Sequence, residues 1–214
     1  MYKIVKHLKK PIPELYVFIK DKIVSFIWTF YIKHVGKGFF VASGSRIKGG
    51  NAITIGKHFH TGINLWLDAV KGHIDYRYNP QIVIGNWVSA SDNVHIAATT
   101  SIVIGDGVLI GSNVHITDHS HGVYVGDEQD SPIVLSPVFR KLAQGREVKI
   151  GDNVWLGDGV VILPGVTIGN GSIIGANSVV AKDIPENVIA VGSPAKPIKR
   201  YDAISKSWNK IIEN

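Results

Sequence analysis

From residue 150 onward an aliphatic side chain returns at every sixth position: Ile150, Leu156, Ile162, Ile168, Ile174 and Val180. Glycine follows at 151, 157, 169 and 175, and a small or β-branched residue stands four places past each aliphatic. The same beat runs upstream through Ile84, Ala90 and Ile96 and through Ile104, Ile110 and Ile116. It is fainter at Val35, Val41, Ile47 and at Ile55, Thr61, Leu67. Six is not a multiple of the 3.6-residue helical turn, so a helix would smear these side chains around its surface. Six is a multiple of two, so in strands they all point one way. Glycine after each aliphatic predicts a bend with special backbone angles. Three short strands and three bends close a triangular coil of 18 residues, and successive coils stack about 4.8 Å apart with the aliphatics inside.

The distances between repeats fit this geometry. Ile150 and Ile168 are 18 apart, whereas Ile84 to Ile104 and Val35 to Ile55 are 20, one coil with a two-residue bulge. Ile55 to Ile84 is 29, a coil with an insertion around 70–80, and Ile104 to Ile150 is 46, a coil with an excursion over 117–149. The chain therefore reads as an all-β solenoid over 35–191. An N-terminal helical segment, 1–34, precedes it, and a tail, 192–214, ends in a helix with Tyr201, Ile204, Trp208 and Ile211 at helical spacing. A β-sandwich of alternating strands is the competing fold, and six in-phase hexads argue against it.

Composition narrows the chemistry. There is no cysteine among the 214 residues, so disulfides, thiolate metal sites and a cysteine nucleophile are excluded. The net charge of +6 favours anionic partners, and no interleaving of aromatic and basic residues marks a nucleic-acid surface. Lys3, Lys6, Lys9 and Lys10 are followed by Pro11 and Pro13 instead of an apolar core, so no secretory signal is expected. The longest apolar stretch, 23–32, falls well short of the ~20 residues that span a bilayer. A cytoplasmic setting fits.

The excursion is where the rhythm breaks, and it opens on HITDHSHG, 115–122. Loops beyond about 15 residues in a compact domain usually serve function. This one carries Asp118, His119, His121, Arg140 and Arg146. Histidine suits general-base work near neutral pH, and an adjacent carboxylate orients an imidazole. His95 and His115 lie 20 apart, each at the last place of its hexad, so they should stack on one outer face. A prism with exposed parallel strands is well served by trimerisation about a threefold axis, which creates grooves between neighbours.

Residues 82–200 resemble the hexapeptide-repeat acyltransferases that acetylate sugars. The resemblance rests on NVHITDHSHG, on the run from IGDNVWLGDGVV to GSPAKPIK, and on TGINLWL at 61–67. The coils are similar to galactoside and maltose acetyltransferases, and the loop to polysaccharide O-acetyltransferases of O-antigen and capsule biosynthesis. The resemblance implies a left-handed parallel β-helix, an exception to the right-handed crossover rule. It further implies a homotrimer, acetyl-CoA as cosubstrate, no metal, and transfer of an acetyl group to a sugar hydroxyl of a polysaccharide or its precursor.

It also implies roles. The Thr-x-His pattern at Thr117–His119 designates His119 as base, with His121 the alternative and Asp118 the orienting group. Asn64 matches a sugar contact; by position alone, Trp66, Asp68 and Arg77 near the 70–80 insertion and Arg140 in the excursion are further candidates for the acceptor side. Trp155 flanks the pantetheine, and the backbone near Gly157 and Asp158 faces the developing oxyanion. Asp158 stands where sugar acetyltransferases often carry serine. Ala176 and Ala181 contribute backbone contacts to coenzyme A, and Lys182, Lys196 and Lys199 face its phosphates.

Three other readings remain open at this level. One is acetylation of a small molecule: an antibiotic, a free sugar or a nucleotide-linked amino sugar. A second is a zinc-dependent γ-type carbonic anhydrase built on His95, His115, His119 and His121, although that family spaces its loop histidines five apart and these are four and two apart. The third is a non-catalytic scaffold. The N-terminal segment either caps the solenoid or lies on a membrane surface through Phe26, Trp28, Phe30 and Tyr31.

Overall fold

A computed structural model describes residues 11–143 and 145–211. The hexads form a parallel β-helix with three faces. One face stacks His34–Val35, Ile53–Ile55, Gln81–Ile84, Ser101–Ile104, Val148–Ile150 and Thr167–Ile168. The second stacks Arg46–Lys48, Trp66–Ala69, His95–Ala98, His115–Thr117, Val161–Ile162 and Val179–Val180. The third runs from His60–Thr61 to Val188–Gly192. The repeat distances are the pairing registers: Val35 lies on Ile55, Ile55 on Ile84, Ile84 on Ile104, Ile104 on Ile150 and Ile150 on Ile168. The inward aliphatics, from Ile55 to Val180, form one buried column of core.

The bends differ from expectation in one respect. The left-handed backbone falls not on the glycine after each aliphatic but two residues later, at Asn153, Gly159, Gly165, Gly171 and Asn177. The earlier glycines serve close stacking instead: a Cβ on Gly157 would stand 2.7 Å from the Ala176 nitrogen of the next coil. Between these two residues sits a side chain that ties coil to coil. The Asn86 N–H donates to Asp106, the Asp106 N–H to Asp152 and the Asp152 N–H to Asn170, at 2.7, 2.8 and 2.9 Å.

The insertion around 70–80 is a small hairpin, Gly72–His73 paired with Tyr76–Arg77. Between the strands His115–Thr117 and Val148–Ile150, the described residues of the excursion form isolated bridges at His121 and Gly122 with Leu142 and one 3-10 turn at Pro137–Phe139.

Helix Ile12–Thr29 covers one end of the solenoid. Its buried residues are polar: Asp21 and Ser25. The Ser25 hydroxyl donates to the Val41 carbonyl and accepts the Val41 N–H at 2.9 Å, and Asp21 accepts a hydrogen bond from Ser43. The helix thereby satisfies the open edge of the first coil with hydrogen bonds.

The other end corrects the sequence reading. No C-terminal helix forms among the described residues. Ala195–Asp202 pairs antiparallel with Val188–Gly192, and Ser207–Lys210 adds beyond it. The apolar residues at helical spacing fit a hairpin equally well: Tyr201 lies opposite Trp208, ring centroids 5.3 Å apart. Asp202 turns the chain by accepting the Ile204 N–H at 2.9 Å and the Ser205 hydroxyl at 2.8 Å. The last coil leaves an unpaired strand edge, and pairing that edge outweighs a helix that would leave it open.

Candidate active site

His119 leaves the solenoid where the second face turns toward the first. Asp118, fully buried, anchors it there. One carboxylate oxygen accepts the Thr99 N–H at 2.8 Å, the Thr99 hydroxyl at 3.1 Å and His119 Nδ1 at 2.9 Å. The other accepts the Thr100 and Ser101 N–H groups at 2.7 and 2.8 Å. Burial pushes the Asp118 pKa up, but the hydrogen bonds from His119, Thr99 and Thr100 outweigh it and hold the group below the usual carboxylate range. An ionised carboxylate only accepts, so Nδ1 carries the proton and Nε2 keeps its lone pair. Asp118 is thus both the corner residue and the group that sets the His119 tautomer. The excursion returns past it at Gly145, where a Cβ would fall 1.5 Å from the Asp118 carbonyl oxygen.

On the second face the outward side chains stack in register: Arg46, Trp66, His95 and His115. The Trp66 indole lies flat on His95 at 4.0 Å, and His95 meets His115 edge-on at 4.7 Å. Burial, and then the neighbouring His115, lowers the His95 pKa to about 4. Burial, and then His119, lowers that of His115 as well. Both rings are therefore neutral at neutral pH, so neither of them opposes a proton arriving on His119. Among the described residues, no group of three or more His, Asp or Glu side chains is arranged to hold a metal ion.

The acceptor-side residues are more dispersed. Trp66 has His95 on one face and the Arg46 and Lys48 cations at 5.9 Å from its centroid, so mainly its edge is open. Asp68 faces Lys48 at 3.7 Å. Asn64 occupies a left-handed corner position and donates its amide to Asn93 at 3.0 Å. Arg140 is spent within the excursion, donating to the Leu135 carbonyl at 2.8 Å and the Tyr124 hydroxyl at 2.6 Å. His121 lies apart from His119, packed against His73 of the hairpin at 5.1 Å.

The donor-side residues divide between two corners. Gly157, Asp158 and Ala176 lie where the third face meets the second. Ala181 and Lys182 lie on the corner that carries His119. Trp155 is half exposed on the third face in register with Leu109 and Ile173. Lys196 and Lys199 sit on the terminal strands.

One feature of this corner was not readable without the coil register. The Asp158 carboxylate accepts the Ser112 N–H at 2.7 Å, like the other rungs. The rung above it would come from position 176, which is alanine and has no acceptor. Asn170, one corner away, plays that part for Asp152. The Gly157 N–H is used by the Ile174 carbonyl at 2.8 Å. Among the described residues the Asp158 N–H has no such partner; nor has the Asp92 N–H, which lies below Ser112 on the same corner.

Comparison with known proteins places these features. Residues 147–182 match the bacterial transferase hexapeptide (six repeats) profile, and 101–128 the hexapeptide repeat of succinyl-transferase. Over 165 residues, 77% of this chain and 80% of the relative, the sequence is 42% identical to a putative lipopolysaccharide biosynthesis O-acetyl transferase, WbbJ, of Escherichia coli K12. The chain is a hexapeptide-repeat acyltransferase. The structure of such an acyltransferase, a maltose O-acetyltransferase from Clostridium difficile 630, is 34% identical with a TM-score of 0.50, covering 75% of this chain and 71% of that one. A galactoside acetyltransferase in complex with coenzyme A is 28% identical with a TM-score of 0.51, covering 88% and 76%. The solenoid of this hexapeptide-repeat acyltransferase accordingly takes the left hand.

Proposed function

We propose that the protein transfers acetyl from acetyl-CoA to a sugar hydroxyl of a polysaccharide or its precursor, with His119 as general base. The observation that carries this is the Asp118–His119 pair, in which a buried ionised carboxylate fixes the imidazole with Nε2 as acceptor. The hydroxyl gives its proton to Nε2 as its oxygen attacks the thioester carbonyl. The oxyanion accepts the Asp158 N–H, and collapse expels the coenzyme A thiolate, which takes the proton back from His119. The relatives' names support the donor and the acceptor class: one was solved with coenzyme A, and all three are sugar or lipopolysaccharide acetyltransferases by name.

The test is release of coenzyme A thiol from acetyl-CoA across a panel of saccharides, with products located by mass spectrometry. His119→Ala should slow turnover by ~100-fold or more and leave coenzyme A affinity nearly unchanged. Unaltered turnover removes His119 from the mechanism.

The working form is a homotrimer at the cytoplasmic surface of the inner membrane. The division of donor-side residues between two corners supports a site completed by a neighbouring copy. The helix Ile12–Thr29 supports membrane contact. Asp21 and Ser25 are turned inward, while Ile12, Tyr16, Ile19, Ile23, Phe26 and Phe30 form an exposed apolar stripe. Lys20 and Lys22 flank it, and Lys33 and Lys37 follow. An apolar stripe edged with lysines suits an anionic bilayer surface. No helix among the described residues is long and apolar enough to cross a membrane. Ile23→Glu/Phe26→Glu should abolish co-sedimentation with phosphatidylglycerol-containing vesicles. If it instead alters the oligomeric state, that stripe is an interface between copies.

A further inference from the structure

The two interruptions of the repeat, far apart in sequence, grip each other. The Tyr78 hydroxyl accepts the Leu142 N–H at 3.0 Å and donates to the Leu142 carbonyl at 3.3 Å. His73 and His121 meet edge to face at the same junction, and His73 Nε2 is buried with no partner among the described residues. Between hairpin and excursion lies an open cleft of about 880 Å³. Its walls carry Arg77, Lys141 and Arg146 with the rings of Tyr76 and Tyr124, against a single acid, Asp127.

That charge is uncompensated. The ion pairs among the described residues are Lys48–Asp68 and His119–Asp118, and none involves the three cations. Asp127 is engaged in its own turn, accepting the Gln129 N–H at 2.8 Å. Room is made for the two guanidinium groups. Arg146 lies across Gly165, where a Cβ would stand 3.2 Å from its Nε, and Arg77 across Gly72, where a Cβ would stand 3.0 Å from Nη1. The cleft wall also reaches the residue after His119: Ser120 lines it, and its carbonyl accepts the Ala143 N–H at 2.9 Å.

Guanidinium forks match the paired oxygens of phosphate and carboxylate, and tyrosine rings pack on sugar rings. We propose that this cleft is a subsite for an anionic saccharide, its phosphate, diphosphate or uronate carboxylate held by Arg77, Arg146 and Lys141. Its meaning as an acceptor subsite rests on the acetyl-transfer reading above; the binding itself does not.

The experiment is calorimetric titration of the full-length protein, saturated with coenzyme A so that phosphate-binding groups for that ligand are occupied. Sodium pyrophosphate, glucuronate and neutral glucose are the probes, at fixed ionic strength. At least one anion should bind while glucose does not bind detectably. Arg77→Gln/Arg146→Gln should weaken that binding by ~10-fold or more, as expected for lost charge-assisted hydrogen bonds. Its melting temperature and coenzyme A affinity should match wild type. Pyrophosphate alone identifies a phosphate-bearing ligand, glucuronate alone a uronate. Binding of neither anion, or an affinity that the double variant leaves unchanged, overturns the proposal. His119→Ala should bind the anion like wild type. If that variant also turned over normally, the general-base reading would fall while the anion subsite stood.

Discussion

Single positions decide the chemistry proposed for this chain, and Ala176 is the clearest. Asp92, Asp106, Asp152, Asp158 and Asn170 each supply a side-chain oxygen to the N–H of the neighbouring coil; Ala176 cannot. Ala176→Asn should complete the rung with the Asp158 N–H, adding about 0.5–1.5 kcal/mol of stability. Turnover should fall by ~100- to 1,000-fold, the usual effect of removing an oxyanion donor. A raised melting temperature with lost activity would be diagnostic, and full activity would release Asp158 from that role. Asp118→Asn replaces one carboxylate oxygen by an amide donor, set either against the Thr100 and Ser101 N–H groups or against the Thr99 N–H and His119 Nδ1, and removes the charge that fixes the His119 tautomer. It should cost about 1–3 kcal/mol in chemical denaturation. It should also lower kcat toward the His119→Ala level, within the ~100- to 10,000-fold range of a general base. The Thr-x-His pattern pointed to His119, but nothing in the sequence reveals that Asp118 gathers the N–H groups of Thr99, Thr100 and Ser101.

At the scale of elements, the outward column of the second face links stability to pH. The unfolded His95 takes up a proton near pH ~6.5, whereas the folded ring resists it down to about 4. Between those values the unfolded state binds more protons, so stability falls as pH falls through that window. His115 adds to the effect in the same direction. Asp118 acts lower: its depressed pKa contributes stability above the ordinary carboxylate value that is lost as pH drops further. Urea midpoints measured from pH 7 to 4 should decline, and His95→Gln should flatten that slope. The terminal strands show where element-level reading fails. Tyr201, Ile204, Trp208 and Ile211 carry a helical period, yet the open edge of Val188–Gly192 recruits the segment as strand. Periodicity describes a segment's own faces, and an exposed ladder edge a few residues away is a stronger demand.

For the molecule as a whole, the proposed base and oxyanion donor lie on different corners of the prism, His119 where the second face turns to the first and Asp158 where the third meets the second. If neighbouring copies complete the site, mixing His119→Ala protomers with Ala176→Asn protomers should restore a fraction of wild-type turnover. Neither pure variant should do so. No recovery after verified subunit exchange would place base and donor on one chain. The six-residue beat by itself determined the solenoid, the register of nearly every coil and the positions of both interruptions. It could do so because strand periodicity and coil length are local and repeat. Only the tertiary structure decided what the interruptions build. It brought Tyr78 to Leu142, set Ala176 above Asp158, turned the helix with its apolar side outward and made the tail a hairpin. Each of these depends on contacts between segments whose sequences carry no record of one another, so the physical reason lies in closing edges and filling corners of the assembled coil.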